Sequence, residues 1–211
     1  MKKSQQYTFF AGKDAHKKEK CRMLIFILIP LIIARVKGYR VLELFKVIDM
    51  YPFFMVCACH GFFVLNAWND NHSFVRFAKL VQFLLIFTLI LPIVRRRITT
   101  PALIGVGMTM VGTVMNTIVI NANGGKMPVY PTISKWIWYY KTGQLEFGTI
   151  DDLHVLMDSS SKLPFLADYF DFGTCISSPG DMLVHSFASI IIYYTIKAVC
   201  TRDPRKVKNA E

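Results

Sequence analysis

The apolar residues of this chain fall into long blocks, and most of the charged residues stand between the blocks. A bilayer is crossed by a helix of about 20 mostly apolar residues, because a helix satisfies its own backbone hydrogen bonds where no water is present. We therefore predict an all-α integral membrane protein with four to five transmembrane helices, embedded in a lipid bilayer. The five blocks are 23–34, which is short, and 47–67, 74–94, 101–120 and 182–199.

The composition agrees with a membrane protein and argues against nucleic acid as a partner. Of the 211 residues, 53% are hydrophobic and 18% are charged, whereas soluble domains are about a quarter charged. The net charge of +11 comes largely from Lys and Arg at the ends of the apolar blocks, as in membrane proteins, and no nucleic-acid-binding motif accompanies it. Cys57 and Cys59, though followed by His60, are better interpreted as small buried side chains than as metal ligands.

The distribution of Lys and Arg predicts how the chain is oriented in the membrane. Segments 35–46, 95–97 and 197–211 are basic, whereas the polar loop 121–181 carries four basic residues and seven acidic ones. Basic connections stay on the cytoplasmic side. We therefore predict that loop 121–181, which lies between the last two spans, is extracytoplasmic and that the C-terminus is cytoplasmic.

The N-terminal segment 1–22 conflicts with this orientation, because five spans would place its seven basic residues outside the cell. Three explanations stay open: block 23–34 does not cross the bilayer, it is the apolar core of a signal peptide, or translation begins at Met23. The chain accordingly divides into a basic extension over 1–22, which a start at Met23 would remove, a membrane domain over 23–200 and a basic cytoplasmic tail over 201–211.

Polar residues that can bind a ligand are concentrated in loop 121–181. A short helix is predicted over 150–158, and on it His154 and Asp158 would share one face because they are four residues apart. Asp168 follows a turn that contains proline, and the turn can bring it back toward this pair. We therefore predict one polar cluster of these three side chains at the mouth of the helix bundle.

The two ends of the loop carry local signals of their own. Asn123 is followed by two glycines, a pattern typical of a turn, and Ser178 and Asp181 are placed to cap the last helix. Taken together, the candidate ligand-binding residues are Asn123, His154, Asp158, Asp168 and Asp181. No catalytic or metal-binding motif surrounds them, so catalytic residues, metal and cofactor remain unassigned.

Four motifs follow one another in and after this loop. Residues 123–129 read NGGKMPV, 154–158 HVLMD, 163–168 LPFLAD and 178–181 SPGD. This order, within about 23–200, resembles a bacterial family of small polytopic membrane proteins catalogued only as a domain of unknown function. The resemblance implies a multi-pass protein of the bacterial plasma membrane, and it implies no reaction.

Three functions are compatible with these features. The first, which we favour, is a non-enzymatic membrane protein that binds a partner protein or a small ligand through loop 121–181. The second is a transporter subunit or small carrier in which Asp49 and His60 line a path; with so few helices it would have to form a homo-oligomer. The third is a membrane-embedded, metal-dependent hydrolase or transferase that uses His154, Asp158 and Asp168.

Overall fold

A computed structural model describes residues 26–68, 77–142, 153–173 and 176–202. Over these residues the protein is mostly helical, which confirms the coarse form of the predicted fold class. The chain forms two compact units. One contains Phe26–Val106 and the described part of Phe187–Glu211; the other contains Gly107–Ser186.

The helices in the first half of the chain differ in length. Helix α1 is described over Phe26–Val36. After it, the described residues up to Arg96 form two 3₁₀ helices, Val41–Lys46 and Ile48–Met50, and helices α2 (Tyr51–Trp68), α3 (Ala78–Thr88) and α4 (Ile90–Arg96).

In the described part of block 74–94, which was predicted to be one span, the chain forms two helices separated at Leu89. Pro92 has no backbone N–H, so it cannot donate to the carbonyl four residues earlier, and its ring disfavours a continuous helix there. The backbone N–H of Leu89 bonds to the carbonyl of Ile86 at 3.1 Å, which is a tighter turn than an α-helix makes.

Two helices are long and apolar enough to cross a membrane, judged by length and composition within the described residues. They are α5 (Thr99–Ala122) and α7 (Pro179–Arg202). Both correspond to predicted blocks, 101–120 and 182–199, each of which is free of interior breaks.

Between α5 and α7 the chain folds into short elements that belong to the second unit. These are β1 (Met127–Val129), α6 (Ile133–Thr142), β2 (His154–Leu156), a 3₁₀ helix (Pro164–Leu166), β3 (Phe170–Asp171) and β4 (Ile176–Ser177). β1 pairs with β2 in parallel, with Met127 opposite His154, and β3 pairs with β4 antiparallel. The all-α prediction lacked these strands.

The helix predicted over 150–158 is wrong in its described part. Residues 154–156 form β2, which pairs with β1. At the ends of this pair, the Met127 N–H donates to the carbonyl of Leu153 at 2.8 Å and the Met157 N–H donates to the carbonyl of Val129 at 2.9 Å. On the other side of β1, the Asp168 N–H donates to the carbonyl of Pro128 at 3.0 Å. Among the described residues, Asp168 alone bridges to that side, so the missing N–H of Pro128 interrupts no long ladder there.

A small core holds these elements against the end of α5. Val119, Met127 and Ala167 are buried together, with Ile120, Met157, Leu163 and Leu166 packed around them. α5 ends where Gly124 adopts a φ of 67° and the Gly125 N–H bonds back to the carbonyl of Ile120 at 2.9 Å. Such an ending favours glycine, so the loop has a fixed starting direction and folds onto the helix end.

Candidate functional site

The sheet brings two of the predicted site residues together. His154 lies on β2 and Asp168 bridges to the opposite side of β1, so the central strand sets their separation. The His154 Nε2 atom is 3.8 Å from Asp168 Oδ2. Asp168 is buried, whereas the side chain of His154 is 29% exposed. A ligand can therefore contact the imidazole of His154 directly, whereas it can approach the carboxylate of Asp168 only along the edge next to the imidazole.

Asp158 is directed into its own turn. Its Oδ1 atom accepts hydrogen bonds from the backbone N–H of Ser160 at 2.8 Å and from the hydroxyls of Ser160 and Ser161 at 2.7 and 3.2 Å. These bonds hold the pKa of the Asp158 carboxyl below its usual range, with the Ser160 hydroxyl as the largest cause. The helical face predicted to join Asp158 to His154 does not exist, because His154 is in a strand.

Asn123 joins the end of α5 to the distant segment at Lys162. Its side-chain N–H₂ donates to the carbonyls of Val119 at 2.8 Å and Lys162 at 2.9 Å, and its Oδ1 accepts the Lys162 N–H at 2.8 Å. All three partners are backbone groups of the protein itself. The amide is therefore committed to the fold, which favours a structural role over ligand binding.

Asp181 belongs to a polar cluster at the start of α7. Ser178 caps the helix as predicted, since its hydroxyl accepts the Asp181 N–H at 2.9 Å. The same hydroxyl donates to Oδ1 of Asn116 at 2.8 Å, and the Asn116 side-chain N–H₂ donates to Asp181 at 2.8 Å. Asn116, Ser178 and Asp181 therefore satisfy one another where α5 and α7 meet in this unit.

Sequence reasoning missed Asn116 as part of this cluster. The only local signal was an amide side chain inside an otherwise apolar block, which is unfavourable in lipid unless it finds a partner. Its partners are 62 and 65 residues away along the chain. The local sequence therefore indicates that Asn116 needs a hydrogen-bond partner, but it does not identify that partner.

Asp171 is a second residue that the sequence did not single out. Its Oδ2 atom accepts the backbone N–H groups of Thr132 at 2.7 Å and Ser134 at 2.8 Å, at the start of α6, and Oδ1 accepts the Gly173 N–H at 2.8 Å. Burial by itself would raise the pKa of this carboxyl, but the hydrogen bonds outweigh burial and the pKa is lowered. Asp171 thus holds α6 against β3 as a charged group.

Asp49 was a candidate for lining a carrier path. In the first unit its carboxylate forms ion pairs with two arginines. Its Oδ1 atom accepts a bond from Arg95 at 2.9 Å, and its Oδ2 atom contacts the guanidinium of Arg96 at 2.7 and 2.8 Å. The side chain of Asp49 is buried. Because both oxygens are paired, its carboxylate is better suited to holding α4 than to binding a cargo ion.

A metal site is not assembled by the described residues. Over those parts of the chain, no three His, Cys, Asp or Glu side chains come close enough to hold a metal ion. His154 and Asp168 supply two potential ligands, and Asp158 is bonded within its own turn.

One comparison with known proteins finds a match. A family model described as a family of unknown function (DUF5317) matches residues 41–193, which include all five predicted ligand-binding residues. This match confirms the resemblance to a family of unknown function. No curated protein and no solved structure matches the chain.

Proposed function

We propose that this chain, which belongs to the family of unknown function DUF5317, is a multi-pass protein of the bacterial plasma membrane that binds a partner protein or small ligand through its extracytoplasmic loop 121–181. The contact is centred on the pair His154 and Asp168. The observation that carries the proposal is the combination of this pair with exposed apolar side chains on the same short elements.

Apolar groups flank both members of the pair. Val155 and Leu156 follow His154 on β2 and are 39% and 41% exposed, and Tyr169, next to Asp168, is 37% exposed. Soluble surfaces rarely gather exposed apolar side chains unless they bind something, and binding sites combine such side chains with a few placed polar groups. The expected partner therefore offers an apolar group beside a hydrogen-bond donor or a cation.

Binding is better supported than the other two functions. A carrier based on Asp49 would have to free a carboxylate that two arginines hold in the first unit. A metal-dependent hydrolase or transferase would need a third ligand beside His154 and Asp168, and the described residues bring none there. The pair alone can orient a ligand by hydrogen bonding and charge.

The location of the loop is tested by labelling with a maleimide reagent that does not cross membranes. Lys162 is exposed in the loop, and Lys46 is exposed in a segment predicted to be cytoplasmic. We expect Lys162→Cys to be labelled in intact cells, above the level of the parent protein, and Lys46→Cys only after permeabilisation. The reverse pattern would contradict the proposed orientation and with it an extracytoplasmic binding site.

The binding surface is tested by placing a photoreactive residue at Leu156 and, as a control, at Val111, an exposed position on α5. In cells we expect a discrete adduct from position 156 and lipid adducts from position 111. Asp168→Asn should reduce the adduct at 156 several-fold, because it removes the charge next to His154. An adduct that is unchanged by Asp168→Asn, in a variant that melts like the parent, would remove the pair from the site.

A further inference from the structure

Three apolar side chains form an exposed ridge on the two 3₁₀ helices of the first unit. Leu42, Phe45 and Ile48 are 73%, 52% and 64% exposed, whereas Leu44 and Val47 are buried. A 3₁₀ helix has three residues per turn, so Leu42 and Phe45 lie one above the other, and Ile48 begins the second 3₁₀ helix. We call these three residues the apolar ridge.

Packing holds the ridge in place from behind. Glu43, on the buried side of the first 3₁₀ helix, bonds to Lys46 at 3.2 Å. The ring of Phe45 stacks on that of Phe54 in α2, with centroids 4.9 Å apart. The segment that carries the apolar ridge is therefore packed against the rest of the unit, although the three side chains themselves are exposed.

The accessible charge around the ridge is basic. Arg40 and Lys46 are exposed at the two ends of the first 3₁₀ helix, and Arg95, which is bonded to Asp49 next to Ile48, has a side chain that is 55% exposed. The two acidic residues of this segment, Glu43 and Asp49, are buried and paired with these cations or with Arg96. The surface thus presents apolar groups flanked by cations, with its carboxylates turned inward.

We propose that the apolar ridge and its basic flanks dock on the anionic phospholipids of the membrane surface, with Leu42, Phe45 and Ile48 among the upper acyl carbons and Arg40, Lys46 and Arg95 at the phosphates. Interfacial segments that bind anionic lipid combine an apolar edge with Lys and Arg in this way. The inference goes beyond ligand binding by the loop, and it rests on the proposal that the chain is a membrane protein.

Charge decides between lipid and the two other possible occupants. A second copy of the ridge would bring two sets of cations together. The N-terminal segment 1–22 is itself basic, with seven Lys and Arg against two acids. Like charges oppose both contacts, whereas anionic headgroups complement the cations. The bilayer is also the one partner that such a protein always has within reach.

The test uses the full chain in bilayer discs, with Phe45→Trp as the reporter and Leu42→Trp as a second reporter. The emission of the parent protein is subtracted, which leaves the signal of the introduced Trp. Discs contain phosphatidylcholine and phosphatidylglycerol, and either one or the other lipid is brominated on its acyl chains. We expect quenching to be at least twofold stronger when the bromine is on the anionic lipid at equal mole fraction.

Two charge variants provide matched controls. Arg40→Gln with Lys46→Gln should bring the ratio of the two quenching efficiencies close to one, whereas Lys126→Gln with Lys162→Gln, at two exposed lysines of the loop, should leave it unchanged. Equal quenching by both lipids in the unaltered background, or a reporter shielded from both, would overturn the inference. Resistance of the same protein to carbonate extraction would then show that the chain is nonetheless inserted in the membrane, so that this failure would not count against the proposed function.

Discussion

Replacing Gly112 by alanine is expected to lower the free energy of unfolding by about 3 kcal/mol, at the upper end of the usual range for overpacking a tight contact. A Cβ at position 112 would meet the backbone oxygen of Gly180, would stand 2.9 Å from the Cβ of Leu183 and 3.1 Å from Val184 Cγ2. A backbone oxygen cannot rotate away as the end of a side chain does. α5 and α7 would have to separate at this point, which would strain the bonds between Asn116 and the start of α7.

Gly107 supplies the matched control, because it lies on the same helix and nothing stands within 4 Å of the Cβ that alanine would add. Gly107→Ala is expected to be neutral or to stabilise the protein by up to about 1 kcal/mol, the propensity difference between the two residues in a helix. The measurement is unfolding of both variants in mixed micelles, followed by circular dichroism. Equal effects of the two substitutions would show that the close contact between α5 and α7 contributes nothing.

The features that the sequence predicted correctly are those determined locally. Blocks 101–120 and 182–199 are mostly apolar, and both are helical throughout. The cap of α7 required only Ser178 and an N–H three residues later. In each case the residues that decide the structure lie within one or two turns of one another, so reading along the chain is sufficient.

The failure at 150–158 comes from competition by a distant partner. The spacing of His154 and Asp158 suits a helix, but β1, which lies more than 20 residues earlier, offers backbone bonds that a strand at 154–156 can use. The break at Leu89 is a different case, because Pro92 was visible in the sequence and the apolar character of its block concealed its effect. Counting hydropathy alone therefore overestimated the continuity of that helix.

A count of charges along the sequence does not show which of them are accessible to a partner. Loop 121–181 has more acidic than basic residues, yet among its described residues Asp168 is buried, Asp171 binds the start of α6, and Asp181 is bonded to Asn116. Asp171 and Asp181 therefore serve the fold, whereas the carboxyl group of Asp168 lies beside His154. The sequence does not distinguish carboxylates that are available to a partner from carboxylates that bond to groups of the protein itself. The structure makes this distinction, and the candidate ligand-binding residues are therefore reduced to His154 and Asp168.

Replacing Asp49 is expected to destabilise the first unit strongly. Its buried carboxylate bridges Arg95 and Arg96, so Asp49→Ala leaves two guanidinium groups without their anion. Removing one partner of a buried ion pair typically costs about 3–5 kcal/mol. Since the side chain of Arg95 is 55% exposed and water can solvate it, we expect the lower part of that range, about 3 kcal/mol.

The two arginines allow the contribution of burial to be separated from that of charge. They are neighbours on α4 and share one carboxylate, but Arg96 is only 17% exposed. Arg96→Gln should cost about 1–3 kcal/mol, because it leaves part of a buried charge unsatisfied, whereas Arg95→Gln should cost less than about 1 kcal/mol, as exposed ion pairs do. Unfolding in mixed micelles measures the cost of each substitution. When an arginine substitution is combined with Asp49→Ala, the two costs should be clearly non-additive. Equal contributions of the two arginines would show that burial does not set the strength of each pair. A neutral Asp49→Ala would show that the carboxylate is not what fixes α4, and Asp49 would then be free to act in transport.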